Sequence, residues 1–286
     1  MRKDVYAGIV TFNPDLVRLR QNLQSIHTQV EVVIVFDNGS DNFEQVRDTL
    51  SNFTNIKLIC SDTNIGIAAA LNKLMQYAYD NSVAWVLLLD QDSICQPGHV
   101  TGLSEYSDLQ PGVKIIAPTI RDLELGVVGH SATNEYQFVR TCITSGALYN
   151  VNAWDSVGRF DESMFIDSVD FEYCFRIRKA GYKILLTSQV VLTHRIGKGK
   201  KHRFLLWHVN VFGHSAFRKY YIARNNVYYP AKHKLWARFC RGNIRNAYLL
   251  LTVACYEKDK SKKFDAILNG WREGLFAGFQ KRRNTK

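Results

Sequence analysis

Residues 85–94, WVLLLDQDSI, run five apolar residues straight into two acids that stand one residue apart. An uninterrupted apolar run of this length reads as a strand buried on both faces, the kind found in a parallel sheet covered by helices. Alternate residues of a strand share a side, so Asp90 and Asp92 converge where the strand ends. Two like charges placed together repel unless a cation neutralises them, and a divalent metal with hard oxygen ligands suits such a pair. The plainer alternative has one Asp capping the next turn and the other solvated. The buried strand in front of them favours the metal.

Outward from this point, apolar β-branched runs alternate with helical periodicity. Strands are expected at Val5–Val10, Val32–Phe36, Ile56–Cys60 and Val83–Leu89, and helices at Leu16–Ile26, Phe43–Phe53 and Gly66–Asp80. This is the pattern of an α/β chain whose parallel sheet is flanked by helices, with ligands beyond the carboxyl ends of the strands. Four strand ends carry polar or turn residues: Thr11-Phe12-Asn13-Pro14, Asp37-Asn38-Gly39-Ser40, Ser61 to Gly66, and Asp90-Gln91-Asp92. They should line one edge. Further strands are expected at Ile115–Ala117, Gly146–Val151 and Tyr182–Thr187, with a helix near Val169–Ala180. From Phe204 onward the pattern reads as helical, so a domain of residues 1–203 is expected to carry a helical extension, 204–286.

The chain has 286 residues, and 46% hydrophobic content supports a sizeable core. Its net charge of +11 is uneven: residues 1–194 carry −7 and residues 195–286 carry +18. An acidic half suits a metal cation, and a basic half suits phosphates, whether of nucleic acid or of an anionic membrane. The six cysteines show no CxxC or zinc-ligand spacing, which argues against a disulfide framework or structural metal. No run of 18 apolar residues occurs, and a proline interrupts the amino-terminal stretch early, so a cytoplasmic protein is expected.

Three further groups could carry chemistry. In FIDSVDFEYCFRIRKAGY, residues 165–182, Asp167 and Asp170 are placed like capping acids, and Glu172 with Arg176 fits a surface i, i+4 pair. Asp170, between Val169 and Phe171, could instead be held in a partly apolar pocket as a general base. His194 ends another apolar strand and could supply an imidazole to a metal already held by Asp92, although a lone histidine is often structural. In FRKYYIARNNVYYP, residues 217–230, Arg224 and Tyr221 could grip a diphosphate, or the segment could be an amphipathic surface helix.

Together these elements resemble the GT-A glycosyltransferases of family 2, and within them the bacterial rhamnosyltransferases that build cell-surface polysaccharide such as O-antigen. The resemblance rests on VTFNP at 10–14, DNGS at 37–40, NIGIAAALN at 64–72, LLLDQDS at 87–93, residues 146–184, THRIG at 193–197 and YYIARN at 220–225. It implies a Rossmann-like, mostly parallel sheet. It also implies a nucleotide site at Thr11, Asn13, Asp37, Asn64, Gly66, Asn72 and Asp90, with Arg224 and Tyr221 on the diphosphate. Mg2+ or Mn2+ would be held by Asp92 with His194 and Asp90, and the base would be Asp170. Many family members carry Glu-Asp where this chain has Val169-Asp170.

The implied reaction moves L-rhamnose from dTDP-β-L-rhamnose, with inversion, to a lipid-diphosphate-linked glycan on the cytoplasmic face of an anionic inner membrane; a UDP-sugar is the alternative donor. The region 119–141, with Arg121, His130 and Arg140, is expected to contribute to sugar or acceptor recognition. A phosphatase with a DxDx[TV] acid pair is disfavoured by Ile94 at the final position, and no nucleic-acid-binding motif accompanies the basic half. A homo-oligomer is left open.

Overall fold

The structure is a computed structural model that describes residues 4–109, 112–122, 126–130, 132, 134–193, 200–204, 207–211 and 213–283, with backbone alone at 108, 109, 128, 200–204, 207–211 and 281–283. His194 lies outside these residues. The chain forms two compact units, Met1–Ser163 with Val169–Arg195, and Met164–Ser168 with Ile196–Lys286.

The first unit opens with the expected alternation: β1 (Val5–Thr11), α1 (Leu16–Ile26), β2 (Val33–Asp37), α2 (Phe43–Leu50), β3 (Ile56–Cys60), α3 (Ile67–Asp80) and β4 (Trp85–Asp90). It continues through α4 (His99–Leu109), β5 (Val113–Asp122), β6 (Gly126–Val128), β7 (Tyr136–Phe138), β8 (Ala147–Asn150), α5 (Val151–Ser156), α6 (Val169–Lys179) and β9 (Lys183–Thr193). One sheet runs in the order β3-β2-β1-β4-β8-β5-β9-β7, with β6 on β5. Its first four strands are parallel, and β1 pairs with both β2 and β4. The sheet is more mixed beyond them: β8 enters antiparallel between β4 and β5.

Both faces of the parallel part are covered, as continuous apolar strands require. Val5, Ala7 and Ile9 of β1 join Leu19, Leu23 and Ile26 of α1, Val46 of α2 and Leu103 of α4 in one core. On the other face α3 packs so closely that a Cβ at Gly8 would lie 3.0 Å from Leu74 Cδ1.

The second unit departs from the helical expectation at its start. Lys200–Phe204 (β10) and Trp207–Val211 (β11) pair antiparallel, consistent with the β-branched and aromatic residues of Trp-His-Val-Asn-Val, which favour a strand. Helices follow at α7 (Ala216–Lys232), α8 (Trp236–Tyr256) and α9 (Lys260–Arg283). Gly270, Gly274 and Gly278 recur every four residues on α9 and let its backbone lie directly on α7; a Cβ at Gly270 would fall 2.1 Å from the Tyr220 carbonyl oxygen. Among the described residues no helix is long and apolar enough to cross a membrane.

Candidate active site

At the end of β4 the chain turns out of the sheet, and both Asp90 and Asp92 are exposed. Neutral groups hold the backbone that presents them. Asn22 of α1 donates its Nδ2 to the Asp90 carbonyl at 2.7 Å, Asp90 N donates to Ser145 Oγ at 3.2 Å, and Ser93 N closes the turn on the Asp90 carbonyl at 3.2 Å. Gln91, between the two acids, accepts from Phe12 N at 2.8 Å through Oε1, which ties the β4 end to the β1 end. Asp92 lines a cleft of about 550 Å³ together with Asp15, Arg18, Gln91, Gln96 and Thr193. Asp15 accepts from Val17 N and Arg18 N as the amino-terminal cap of α1, and so fixes the turn from which Arg18 reaches this cleft. Ile94 bridges to Thr193, the last described residue before His194. Among the described residues no group of three His, Cys, Asp or Glu side chains gathers in a way that could hold a metal.

The neighbouring strand ends are knitted together by the side chains expected to meet a nucleotide. Asp37, 1% exposed, accepts from Thr11 Oγ1 at 2.9 Å, Ser40 Oγ at 2.7 Å and Ser40 N at 2.9 Å. Asn13 exchanges hydrogen bonds with Asp41: its Nδ2 donates to the carboxylate at 3.1 Å and its Oδ1 accepts from Asp41 N at 2.7 Å. Asn64 Oδ1 accepts from Gly66 N at 2.9 Å and from Asn38 Nδ2 at 3.1 Å, joining the loop before α3 to the DNGS loop. Gly66 caps α3 with φ +85°, a left-handed conformation that suits glycine.

Asn72 requires correction as a nucleotide contact. Its Oδ1 accepts from Trp154 Nε1 and Phe160 N, and its Nδ2 donates to the Phe160 carbonyl and Glu162 Oε1. Those four bonds use the whole capacity of a carboxamide, so Asn72 is a buried junction between α3, α5 and the loop after it.

Loop 141–146 stands directly on the acid pair. Ser145 Oγ shares a 2.6 Å hydrogen bond with Ser93 Oγ besides accepting from Asp90 N. Gly146 N donates to the Leu88 carbonyl at 2.7 Å, and the ring of His99 pairs through Nε2 with the Gly146 carbonyl at 3.0 Å. The carbonyl can only accept, so Nε2 carries the proton there. Burial holds the His99 pKa below the ordinary imidazole value, opposed by that carbonyl contact. A second cavity of about 260 Å³ lies on this loop, lined by Thr141, Cys142, Ile143 and Ser145, by Ala117, Pro118 and Ile120 of β5, and by Phe171 and His130. Cys142 lies 3.9 Å from Cys174 sulfur to sulfur; that contact, with burial, raises its thiol well above the usual range and keeps it neutral.

Of the three acids around the start of α6, two carry arginines. Glu172 is fully buried and binds Arg176, whose Nε lies 2.9 and 3.0 Å from its two oxygens. Arg176 also donates to the carbonyls of Val157 and Arg159. The expected i, i+4 pair therefore forms, but inside the protein, where it anchors α6. Asp167, in the second unit, accepts from Arg218 at 3.1 and 3.3 Å. Asp170 is half-buried in the first turn of α6, and its Oδ1 accepts from Phe171 N at 2.8 Å.

In the second unit Arg224 is 6% exposed, donates to Glu273 at 2.7 Å and to Asn225 Oδ1 at 3.1 Å, and lies over the Tyr228 ring. The guanidinium expected on a diphosphate is thus engaged within α7–α9. Tyr221 stacks on Phe165 with ring centroids 5.0 Å apart.

Comparison with known proteins bears on this architecture. The family model Glycosyl transferase family 2 matches residues 6–125, the span that contains β1 to β5 and both acids of DQD. The dTDP-rhamnosyl transferase RfbF of Shigella flexneri is 30% identical over 241 residues, covering 79% of this chain and 79% of that protein. The chain belongs to glycosyltransferase family 2. This glycosyltransferase also shares its fold with solved structures at 13–14% identity. A mannosyltransferase of Pyrobaculum calidifontis, PcManGT in complex with GDP-Man and Mn2+, superposes with TM-score 0.59 over 100% of this chain and 88% of that one. S. aureus TarS 1–349 gives 0.56 over 96% and 81%. GalNAc-T7, crystallised with UDP, GalNAc and Mn2+, gives 0.58 over 95% of this chain, which spans 56% of the GalNAc-T7 chain. These likenesses establish the GT-A fold.

Proposed function

We propose that this glycosyltransferase moves L-rhamnose from dTDP-β-L-rhamnose to a hydroxyl of a lipid-diphosphate-linked glycan, with inversion at the anomeric carbon. The observation that carries the proposal is the exposed acid pair at the end of β4, of which Asp92 lines a cleft shared with Arg18; the donor is suggested by RfbF.

The residues fit a divalent cation. Asp92 and Asp90 are hard oxygen donors on a fixed backbone, and His194, outside the described residues, is the further ligand proposed. Mg2+ or Mn2+ bound there would supply positive charge beside the donor's diphosphate. Thr11 and Asp37 are assigned to the base, with Asn13, Asn64 and Gly66 shaping the loops around it and Asp90 toward the ribose. Arg18 was not singled out in the sequence. It lines the cleft of Asp92, makes no ion pair among the described residues, and suits the charge that gathers on the leaving diphosphate. Arg224 and Tyr221 support their own unit instead.

Asp170 is assigned as the base from its place in the family resemblance and its half-buried position in the first turn of α6. The acceptor oxygen attacks the anomeric carbon, its proton passes to Asp170, the bond from that carbon to the phosphate oxygen breaks, and dTDP departs. An α-rhamnoside results.

Membrane attachment is proposed for the second unit, where Ile244, Tyr248 and Leu251 form an exposed stripe on α8 beside Arg241 and Arg245. Three measurements test the whole. The melting temperature should rise with dTDP plus Mn2+ and lose that rise under EDTA, and a panel of nucleotide sugars should show turnover with dTDP-rhamnose. Turnover with a UDP-sugar alone would replace the donor. Failure to sediment with anionic liposomes at low salt would remove the membrane.

A further inference from the structure

The cavity on loop 141–146 differs in chemistry from the cleft of Asp92. Six of its lining residues, Ala117, Pro118, Ile120, Ile143, Phe171 and Leu186, are apolar, and among the described residues no Asp, Glu, Lys or Arg lines it. Its polar groups are Thr141 and Ser145 on the loop, His130, and the Cys142 thiol. At about 260 Å³ it falls below the roughly 300–1,000 Å³ of sites for drug-sized ligands, which suits one monosaccharide ring and excludes a nucleoside diphosphate.

Its position is equally specific. Ser145 on its wall accepts a hydrogen bond from Asp90 N, so the cavity begins beside the acid pair assigned to the diphosphate. Phe171 on another wall directly follows Asp170, the assigned base. A sugar passed from that diphosphate to an acceptor hydroxyl deprotonated by that base would place its reacting carbon between the two, with the rest of the ring in or against this cavity.

We infer that the cavity receives the transferred sugar and packs its C6 methyl group against the apolar wall of Ala117, Ile120, Ile143 and Leu186, making it the selectivity pocket for a 6-deoxyhexose. A hydroxyl at C6 would meet a wall without hydrogen-bonding partners and be left unpaired on burial. Thr141 remains for a ring hydroxyl, while Ser145 keeps its bonds to Asp90 N and Ser93 Oγ. This inference deepens the rhamnosyl reading and rests on it.

The test compares dTDP-β-L-rhamnose with dTDP-β-L-mannose, which differs only by the hydroxyl at C6, following dTDP release in the presence of Mn2+. The wild-type enzyme should favour the rhamnosyl donor roughly 100-fold in kcat/KM, the scale on which an apolar pocket rejects an added hydroxyl. Ala117→Ser should shrink that preference to about 10-fold. Ile143→Phe, at a half-buried position on the cavity wall, should lower kcat/KM for both donors while the melting shift produced by dTDP alone stays unchanged. Equal use of both donors by the wild type would overturn the inference and leave the rhamnosyl reading standing; so would unchanged kinetics in both variants with the dTDP shift intact. Turnover confined to UDP-hexoses would instead overturn the rhamnosyl reading, and the 6-deoxy pocket with it.

Discussion

At the end of β4 the acids of DQD stand exposed on a backbone clasped by neutral groups, whereas in the α7–α9 unit Lys219, Arg224 and Lys263 are buried and spent on carboxylates of the same unit. Glu257 takes Lys219 at 2.7 Å and Lys263 at 2.9 Å, all three no more than 8% exposed. Arg224 faces Glu273, and Tyr220 donates to the same carboxylate. The difference teaches that a charge census does not measure available charge. Three cations from the +18 region can vanish into a scaffold, while two acids in a −7 region stand exposed.

The contrast can be broken most directly at Asp92. Asp92→Ala should lower kcat/KM by about 1,000-fold and abolish the Mn2+-dependent melting shift with dTDP, leaving the melting temperature of the ligand-free enzyme within a degree or two. Asp170→Asn should reduce turnover by roughly 100- to 1,000-fold with dTDP binding retained, which calorimetry can show; full activity there would move the base elsewhere. In the other region the pattern inverts. Lys219→Met leaves Glu257 buried with one partner removed and should cost about 3 kcal/mol in denaturant unfolding, with kcat unchanged at low temperature. A large loss of kcat in the folded variant would mean that the helical unit is not a mere scaffold.

A smaller effect concerns acid. Burial raises the Glu257 pKa, but hydrogen bonds from Lys219 and Lys263 outweigh it and bring the group below the ordinary carboxylate value. Its contribution to stability is therefore present above about pH 4.3 and lost as pH falls through the lower folded value, so acid unfolding of the wild type should be steeper than that of Glu257→Gln. His99 acts in the same sense at a higher pH: because its folded pKa is lowered, the unfolded chain takes up a proton first, and stability should decline as pH falls below about 6.5. Least of all, Gln91→Ala should cost about 1 kcal/mol for the lost bond to Phe12.

How much of this was legible in the chain depends on the range of the forces involved. α1 and β3 begin and end where periodicity and turn residues put them, because caps and local hydrophobic spacing set them; Asp15 caps α1 from within its own turn. β8 is only four residues long and apolar on both sides, and nothing in Ala147–Asn150 announces that it runs antiparallel between two longer strands. The Glu172–Arg176 pair was legible from spacing, but its burial depends on the carbonyls of Val157 and Arg159, which no helical wheel contains. Asn72 sits in a stretch that resembles a nucleotide loop, yet its partners come from more than 80 residues away. Arg18, Asn22, His99 and Ser145 were missed for the same reason: each matters through residues brought beside it only by the sheet.

The bond between Gln91 and Phe12 links two strand ends that the proposed site assigns to opposite halves of a donor molecule. In that assignment the loop after β1 takes the nucleoside side, and the turn after β4 the pyrophosphate side. With the carboxamide of Gln91 as a tether, one loop cannot shift without tugging the other. A nucleoside seated on the first loop would thereby draw the acids into register, and one that seats badly would leave them misaligned, so on the proposed assignment the middle letter of DQD makes the two regions a single gauge of fit.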